Sequence, residues 1–393
     1  MVDYTQKSYG RNAEVAEIFS LFKAGKDVSQ HGPRRLGKTF VLDRMVEQGG
    51  AHGFICLKVE IAGCTEPKMV FRRLCEEISS HRGISSRTFG IITQRLAQVV
   101  NPRADQAGQW YQPLLSLDWE KYLERLLDGL QSDRKHRWAI LIDELPIFLK
   151  ALHDKGPEGV NQARDFMNLF IRLCGKNPQV RWLVTGSIGI TPLAKAGNYM
   201  GVLAKLHSYE LEPLTEEQSV AFLQDLPQQG LPTGRWEITQ QEAQAVIKAV
   251  GWRAAYYLEA LAYRLPNRPE AETEKVQANI NTAMESLLKT NNESAFGTWE
   301  EHIRKHHAPQ QRSLSYGALN AIASREDGLG LDALHAALGD AALSRDALRQ
   351  HMLRLVDEGF LYQEPMGDDD APYRFRLIPL RLWWNKYRPQ GQE

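Results

Sequence analysis

Eight consecutive residues of this 393-residue chain have types and spacing suited to one chemistry. Gly32, Pro33, Arg34, Arg35, Leu36, Gly37, Lys38 and Thr39 spell G-x-x-x-x-G-K-[ST], the pattern of a loop that wraps phosphate. The glycines let the backbone curl until its N–H groups converge on phosphate oxygens. The helix that the pattern opens adds the positive end of its dipole. Lys38 then reaches the β- and γ-phosphates, and the Thr39 hydroxyl ligates magnesium. Gly32 through Phe40 are thus the candidate nucleotide-binding residues.

A second feature completes the chemistry. Asp143 and Glu144 close the apolar run Trp138–Ile142. Two adjacent carboxylates at the end of a buried strand are costly to bury without a cation, and magnesium is that cation. Asp143 is expected to hold the metal through water, and Glu144 to orient and polarise the attacking water. Thr185 and Ser187 end the next apolar run. A polar residue there contacts the γ-phosphate or the lytic water, or caps the turn that follows; the sequence leaves both open.

These motifs need a scaffold that brings strand ends together. Residues 12–24 read as an amphipathic helix, with Val15, Ile18, Phe19 and Phe22 at helical spacing. Strands are expected at Asp27–His31, Phe54–Ile61, Arg137–Asp143, Val180–Ser187 and Leu206–Leu211, and helices at Lys38–Gln48 and Gly159–Cys174. Glu66–Asp133 reads as mostly helical, with breakers near Asn101–Pro113, and is long enough to hold an inserted helix. Strands alternating with helices imply a parallel α/β sheet covered on both faces. In such sheets ligands bind at the carboxyl ends of the strands, where both motifs lie.

Beyond Pro213 the pattern changes to helices at 215–224, 239–250, 253–264 and over much of 270–290, with Thr215 and Gln218 as a capping box. Asn291–Gln311 is polar and His-rich and reads as a linker. Three helices (Leu314–Ala323, Leu331–Leu338, Ser344–Glu358) then precede two β-like runs, Phe360–Glu364 and Tyr373–Ile378, joined through Gly367–Pro372. That order is a winged helix. The expected division is 1–213 for the P-loop core, 214–290 for a helical lid, 291–310 for the linker and 311–393 for the winged-helix-like domain.

Composition removes several classes. Lys+Arg and Asp+Glu both total 48, which argues against bulk electrostatic coating of nucleic acid. Cys56, Cys64, Cys75 and Cys174 form no C-x-x-C pair and have no accompanying His cluster, so zinc is not expected, and they read as buried free thiols of a cytoplasmic protein. The first residues lack an apolar signal segment, and no run of 18 apolar residues suits a membrane.

The segments GPRRLGKT, AILIDE and WLVTGS together resemble the AAA+ superfamily of ATPases, in its archaeal-type branch near the STAND and origin-recognition proteins. The resemblance covers residues 8–265 well and the C-terminal domain more loosely. It implies ATP as the nucleotide with Mg2+, in keeping with the absence of a guanine-specific N-K-x-D motif. Tyr9-Gly10-Arg11-Asn12-Ala13-Glu14 is similar to the segment that packs beside adenine in that group, which makes Tyr9, Gly10 and Arg11 adenine-side candidates. Arg253, in Gly251-Trp252-Arg253, matches the lid arginine that reaches the γ-phosphate, although the branch often lacks it. Arg34 and Arg35 are typical of the branch, with phosphate, a neighbouring subunit or an acidic side chain as open partners. No arginine finger is marked out among Arg164, Arg172 and Arg181.

Three functions fit. The first is an ATP-driven switch acting on a C-terminal interaction domain, with a protein partner or a homo-oligomer and an association with mobile elements or genome defence. The second is an initiator- or loader-type ATPase binding DNA through 344–358, where Arg345 and Arg349 share a face. Against it, Pro309–Glu393 carries 10 Lys+Arg and 12 Asp+Glu, and Asp368–Asp370 at the wing tip would repel phosphate. The third is a scaffold that binds ATP without hydrolysing it.

Overall fold

The computed structural model describes residues 3–81, 118–270, 272–289, 293–339, 344–364 and 371–387. Asn101–Pro113 and the acidic tip Asp368–Asp370 lie outside the described residues. Contacts divide the chain into two compact units. One holds residues 11–31 and 38–211; the other holds 1–10, 32–37 and 212–393. The boundary expected at 213 therefore leaves out two earlier pieces, the first ten residues and the phosphate loop itself, which pack with the C-terminal unit.

In the sheet unit, α1 (Asn12–Lys23) buries Val15, Ile18, Phe19 and Phe22, the stripe that its i, i+3, i+4, i+7 spacing predicts. Strand β1 (Val28–His31) is followed by α2 (Lys38–His52) and β2 (Phe54–Glu60). Then come α3 (Pro67–Ser80) and α4 (Trp119–Gln131). Strand β3 (Arg137–Asp143) leads to α5 (Leu145–His153) and α6 (Pro157–Lys176). Strand β4 (Val180–Thr185) leads to α7 (Ile190–Ala196), α8 (Met200–Leu203) and β5 (His207–Glu210).

The strands align in the order β2-β3-β4-β1-β5 with every neighbour parallel. β3 and β4 are buried nearly end to end because helices cover both faces. Strand β4 thus separates the strand before the phosphate loop from the strand ending in Asp143. Gln30 pairs with Thr185 and Ile142 with Val184, so the three strands finish level. Trp138, Trp182, Phe166 and Phe170 build the core beneath, and Phe170 meets Trp182 edge-on at 5.2 Å. All four cysteines are free and buried.

Helices α5, α7 and α8 add to the elements expected from sequence. In α5 the run LPIFLKALH is too uniformly apolar to show a period, and it buries Leu145, Pro146, Phe148, Leu149 and Leu152. Pro146 is tolerated because a first-turn residue has no intrahelical N–H bond to lose.

In the C-terminal unit, α9 (Glu216–Asp225) and α10 (Gln240–Val250) both begin with complete capping boxes, Thr215 with Gln218 and Thr239 with Glu242. Glu242 is fully buried against Arg235, whose remaining donors reach the carbonyls of Glu237 at 2.7 Å and Arg268 at 3.1 Å. Every charge in that pair is satisfied, the condition under which a buried ion pair is tolerated. Helices α11 (Ala255–Ala262) and α12 (Thr273–Leu287) complete the group. The helix expected at 253–264 starts two residues later, because Gly251 at φ 76° ends α10 and the next residues turn the chain.

The stretch 291–310, read as a linker, instead carries α13 (Glu293–His306). Phe296, Trp299 and Ile303 lie buried along it at helical spacing, a stripe masked in the sequence by the polar residues between them. Helices α14 (Pro309–Ala323), α15 (Leu331–Leu338) and α16 (Arg345–Asp357) follow. Then come the antiparallel pair β6 (Leu361–Gln363) and β7 (Tyr373–Phe375). Leu329 adds a bridge to Tyr373. The run expected to stay extended to Ile378 ends at Phe375, and Ile378 opens α17 (Ile378–Tyr387). That helix buries Trp383 and Trp384, and the Trp384 indole N–H donates to Asn320 at 2.9 Å. Among the described residues no helix is long and apolar enough to cross a membrane.

Candidate nucleotide site

Lys38 and Thr39 are the first residues of α2, and Asp143 is the last of β3. Lys38 and Asp143 are buried at 7% and 5% exposure. The Thr39 hydroxyl donates to Asp143 Oδ2 at 2.8 Å. A hydroxyl and a carboxylate at this separation are hard oxygen donors of the type magnesium takes, so this pair fits the metal. Burial, then the Lys38 charge, holds the His31 imidazole below its ordinary pKa.

Glu144 sits at φ 64°, in the left-handed region that a non-glycine residue enters at a cost of about 1–2 kcal/mol. Its Oε2 accepts from the Ser187 backbone N–H at 2.8 Å and from the Ser187 hydroxyl at 3.0 Å. Burial raises the carboxyl above its usual value; the Ser187 N–H opposes that shift and Asp143 adds to it. Gly186 lets the chain pass close by. A Cβ there would fall 2.4 Å from Pro146 Cδ and 3.4 Å from Glu144 Oε2. Among the described residues, three of the four non-glycine residues at positive φ, Arg11, Arg35 and Glu144, belong to the predicted motifs. Such outliers persist where the surroundings hold them, commonly at working sites.

Thr185 is 2% exposed, and its hydroxyl meets no hydrogen-bond partner among the described residues. Gln30, its neighbour across the β1–β4 ladder, is also buried, with neither amide atom hydrogen-bonded among the described residues. Gln30 is not among the residues that the motifs mark out. A glutamine two residues before the loop, inside an otherwise buried strand, was the available signal.

The loop belongs to the other unit. Gly32, Arg35 and Gly37 take φ of 143°, 66° and 94°. Arg34 Nη1 donates to the Thr298 carbonyl at 3.0 Å, and the Arg35 guanidinium lies 4.5 Å over the Tyr256 ring. Pro33 packs so closely on Gly359 that a Cβ at 359 would fall 2.5 Å from Pro33 Cβ. Leu36 is buried. The partners that appear here, a backbone carbonyl and an aromatic face, were not among those the sequence offered for these arginines.

The remaining candidates each bond within their own unit. Tyr9 is 5% exposed, with its hydroxyl donating to Asp225 at 3.1 Å beside Lys7 and its ring edge-on to Phe222. Burial and the Asp225 charge push its hydroxyl pKa upward. Gly10 is required because a Cβ would sit 2.2 Å from the Tyr4 carbonyl oxygen. Arg11 is buried and pairs with Glu14 at 2.5 Å. Phe40 lies half-buried on the first turn of α2. Arg253 Nε donates to the Leu214 carbonyl at 2.7 Å, and Leu214 N–H returns a bond to Arg253 O at 3.0 Å. Arg181 is a buried clamp on the Gly25 carbonyl at 2.6 Å. Arg172 is exposed beside Glu120, and Arg164 bonds Asn161.

No family model matches the chain, and no curated protein matches it. Solved structures do. A Walker-type ATPase of Pyrococcus abyssi superposes with a TM-score of 0.60 at 15% identity, covering 95% of each chain. The ORC2 protein of Aeropyrum pernix, solved in complexes with ADPNP and ADP, gives 0.57 at 12% identity over 96% of this chain and 93% of its own. At these identities the likeness is one of fold. The chain has the α/β fold of the P-loop ATPases, with the five-stranded parallel sheet described above.

Proposed function

We propose that the chain is an ATPase of the AAA+ type, working as a switch in which Mg–ATP sets the state of the C-terminal unit. The observation that carries this reading is the grip on the phosphate loop. Pro33, Arg34 and Arg35, inside the motif that would wrap phosphate, are engaged by Gly359, Thr298 and Tyr256. A nucleotide that re-forms the loop must alter those contacts, so its binding energy is felt in the C-terminal helices.

In this reading the backbone N–H groups of residues 32–39 hold the phosphates, and Lys38 bonds the β- and γ-phosphate oxygens. Thr39 and Asp143 would hold magnesium, which would supply charge neutralisation at the phosphates. Glu144 accepts a proton from the lytic water. Ser187 occupies its Oε2, which leaves Oε1 for that role. Thr185 and Gln30 offer polar atoms toward the reacting end. Arg253 and the segment Tyr9–Arg11 keep their proposed places on the γ-phosphate and adenine sides.

Hydrogen exchange tests the switch. Adding Mg–ATP is expected to change amide protection in α13 around Thr298 and at the 355–360 turn, and Lys38→Ala should abolish the change. Protection confined to residues 32–40, with α13 unaltered, would mean that the grip transmits nothing. The contact itself has a simpler check. Gly359→Ala places a side chain at φ 89° and against Pro33, so a loss of about 1–2 kcal/mol is expected from the backbone term alone. Chemical denaturation measures it.

Helices α14, α15 and α16 and the β6–β7 hairpin read as a winged helix. The DNA-binding alternative is less favoured, because two of the arginines on its candidate helix are engaged within the unit. Arg345 bonds Asp332 at 2.6 Å, and Arg354 bonds Glu358 at 2.8 Å. A protein surface or a second copy of the chain is the proposed partner. Mass photometry with Mg–ATP, with and without a short duplex, separates these outcomes.

A further inference from the structure

The C-terminal unit contains a buried cluster that the nucleotide reading leaves unused. His302 lies on α13, His307 just beyond its end, Ser315 on α14, His351 on α16 and Glu358 at the end of α16. His302 and His307 are each 2% exposed and Glu358 is 5%.

Ser315 Oγ lies 2.8 Å from the Gln311 carbonyl, which can only accept, so the hydroxyl hydrogen goes there. His307 Nδ1 and His351 Nε2 each lie 2.8 Å from the same Oγ and must donate to it. A neutral His307 with its hydrogen on Nδ1 then turns a bare Nε2 toward Glu358 Oε2, 2.8 Å away. Two acceptors at that distance require a positive species at the same place. The other Glu358 oxygen is already bonded by Arg354 Nε at 2.8 Å. His302 Nε2 stands 3.4 Å from Glu358 Oε2, and among the described residues neither ring nitrogen of His302 has a hydrogen bond of good geometry. A proton on His307 answers only the His307–Glu358 pair. A metal ion answers all three groups.

We propose that His302 Nε2, His307 Nε2 and Glu358 Oε2 form a site for a divalent transition metal, with zinc the ion best suited to two imidazoles and a carboxylate. One ligand atom from each of the three residues lies within 4.8 Å of the other two, the one such group among the described residues. Tetrahedral zinc spaces its ligands about 3.3 Å apart. The His302–Glu358 separation already fits, and the His307–Glu358 pair needs only a small opening. Ser315 on His307 Nδ1 and Arg354 on Glu358 Oε1 are the outer hydrogen bonds that orient metal ligands. Water takes the remaining position. Nitrogen ligands set this site apart from the all-oxygen pair Thr39 and Asp143, so the two select different ions. The ion ties α13 to the end of α16.

The test uses the full chain, stripped with chelator, saturated with Mg–ADP, equilibrated with zinc and dialysed. Metal analysis should find about one zinc per chain, and zinc should raise the melting temperature. His302→Gln and Glu358→Gln should each remove both effects. Since a buried variant can fail to fold, the wild-type chain supplies a second readout. Loaded with cobalt(II), it should show the visible bands of a tetrahedral ion, and X-ray absorption should detect imidazole scattering. Wild-type chain that retains no zinc, or equal zinc in both variants, or cobalt with oxygen ligands only, overturns the proposal.

Discussion

Glu144→Gln is expected to bind Mg–ATP as tightly as the wild type and to hydrolyse it about 10²–10⁴-fold more slowly, the usual contribution of a positioned general base. The substitution keeps the shape of the side chain. It also keeps an oxygen to accept the Ser187 N–H and hydroxyl bonds that hold Glu144 in place. What it removes is the carboxylate that takes a proton from water. A fall in turnover with binding unchanged assigns the lost free energy to the transition state rather than to the ground state. The backbone adds weight to this role. Glu144 is held at φ 64° between a buried strand and a proline-led helix, a strained posture that a solvated acidic residue would have no reason to keep. Single-turnover hydrolysis alongside nucleotide affinity is the measurement. Wild-type turnover in the variant would remove Glu144 as the base. Undetectable turnover in the wild type, with ATP still raising its melting temperature, would instead favour a scaffold that uses ATP as glue.

The sheet was legible in the sequence because its strands are short apolar runs bounded by chemistry. Trp138–Ile142 ends at two carboxylates, and Val180–Val184 ends at Thr185 and Gly186. Where both faces of a strand are buried, composition alone marks it. Helix α5 was not legible for the opposite reason, since Leu145, Pro146, Phe148 and Leu149 are all buried and leave no polar face to reveal a period. Helix α13 was hidden by its charged face, because the few large residues that fix it, Phe296, Trp299 and Ile303, are diluted among Glu, Arg, Lys and His. In the site, Lys38, Thr39, Asp143 and Glu144 announced themselves because each residue type is demanded by phosphate, metal or water. Gln30, the Ser187 bonds to Glu144 and the grip on Arg34 and Arg35 depend on pairings between residues distant in the chain, and one sequence carries no record of those. The same holds for Arg253, whose bond to Leu214 spans separate elements.

Lys38→Ala is expected to weaken Mg–ATP binding by about 3–6 kcal/mol, at about 1.5–3 kcal/mol for each of two bonds to charged phosphate oxygens. That corresponds to about 10²–10⁴-fold in Kd. The residue is only 7% exposed, so its ammonium group has little water around it and acts at short range on whatever the loop holds. Its stem packs at the first turn of α2, and alanine is a good helix former there, so the fold should survive. Removal of the charge should also relieve part of the depression on His31, whose imidazole lies close enough to sense it. The His31 titration would then move upward toward its ordinary value, while burial, the larger cause, keeps it below. NMR titration of the His31 ring and calorimetry with Mg–ATP together distinguish two failures. Weak binding with a shifted His31 on a folded chain means that Lys38 acts on phosphate from the place described. Unchanged affinity with the same His31 shift would mean that the lysine charges the strand end but does not reach the nucleotide, and the phosphates would then rest on the backbone N–H groups and the helix terminus alone.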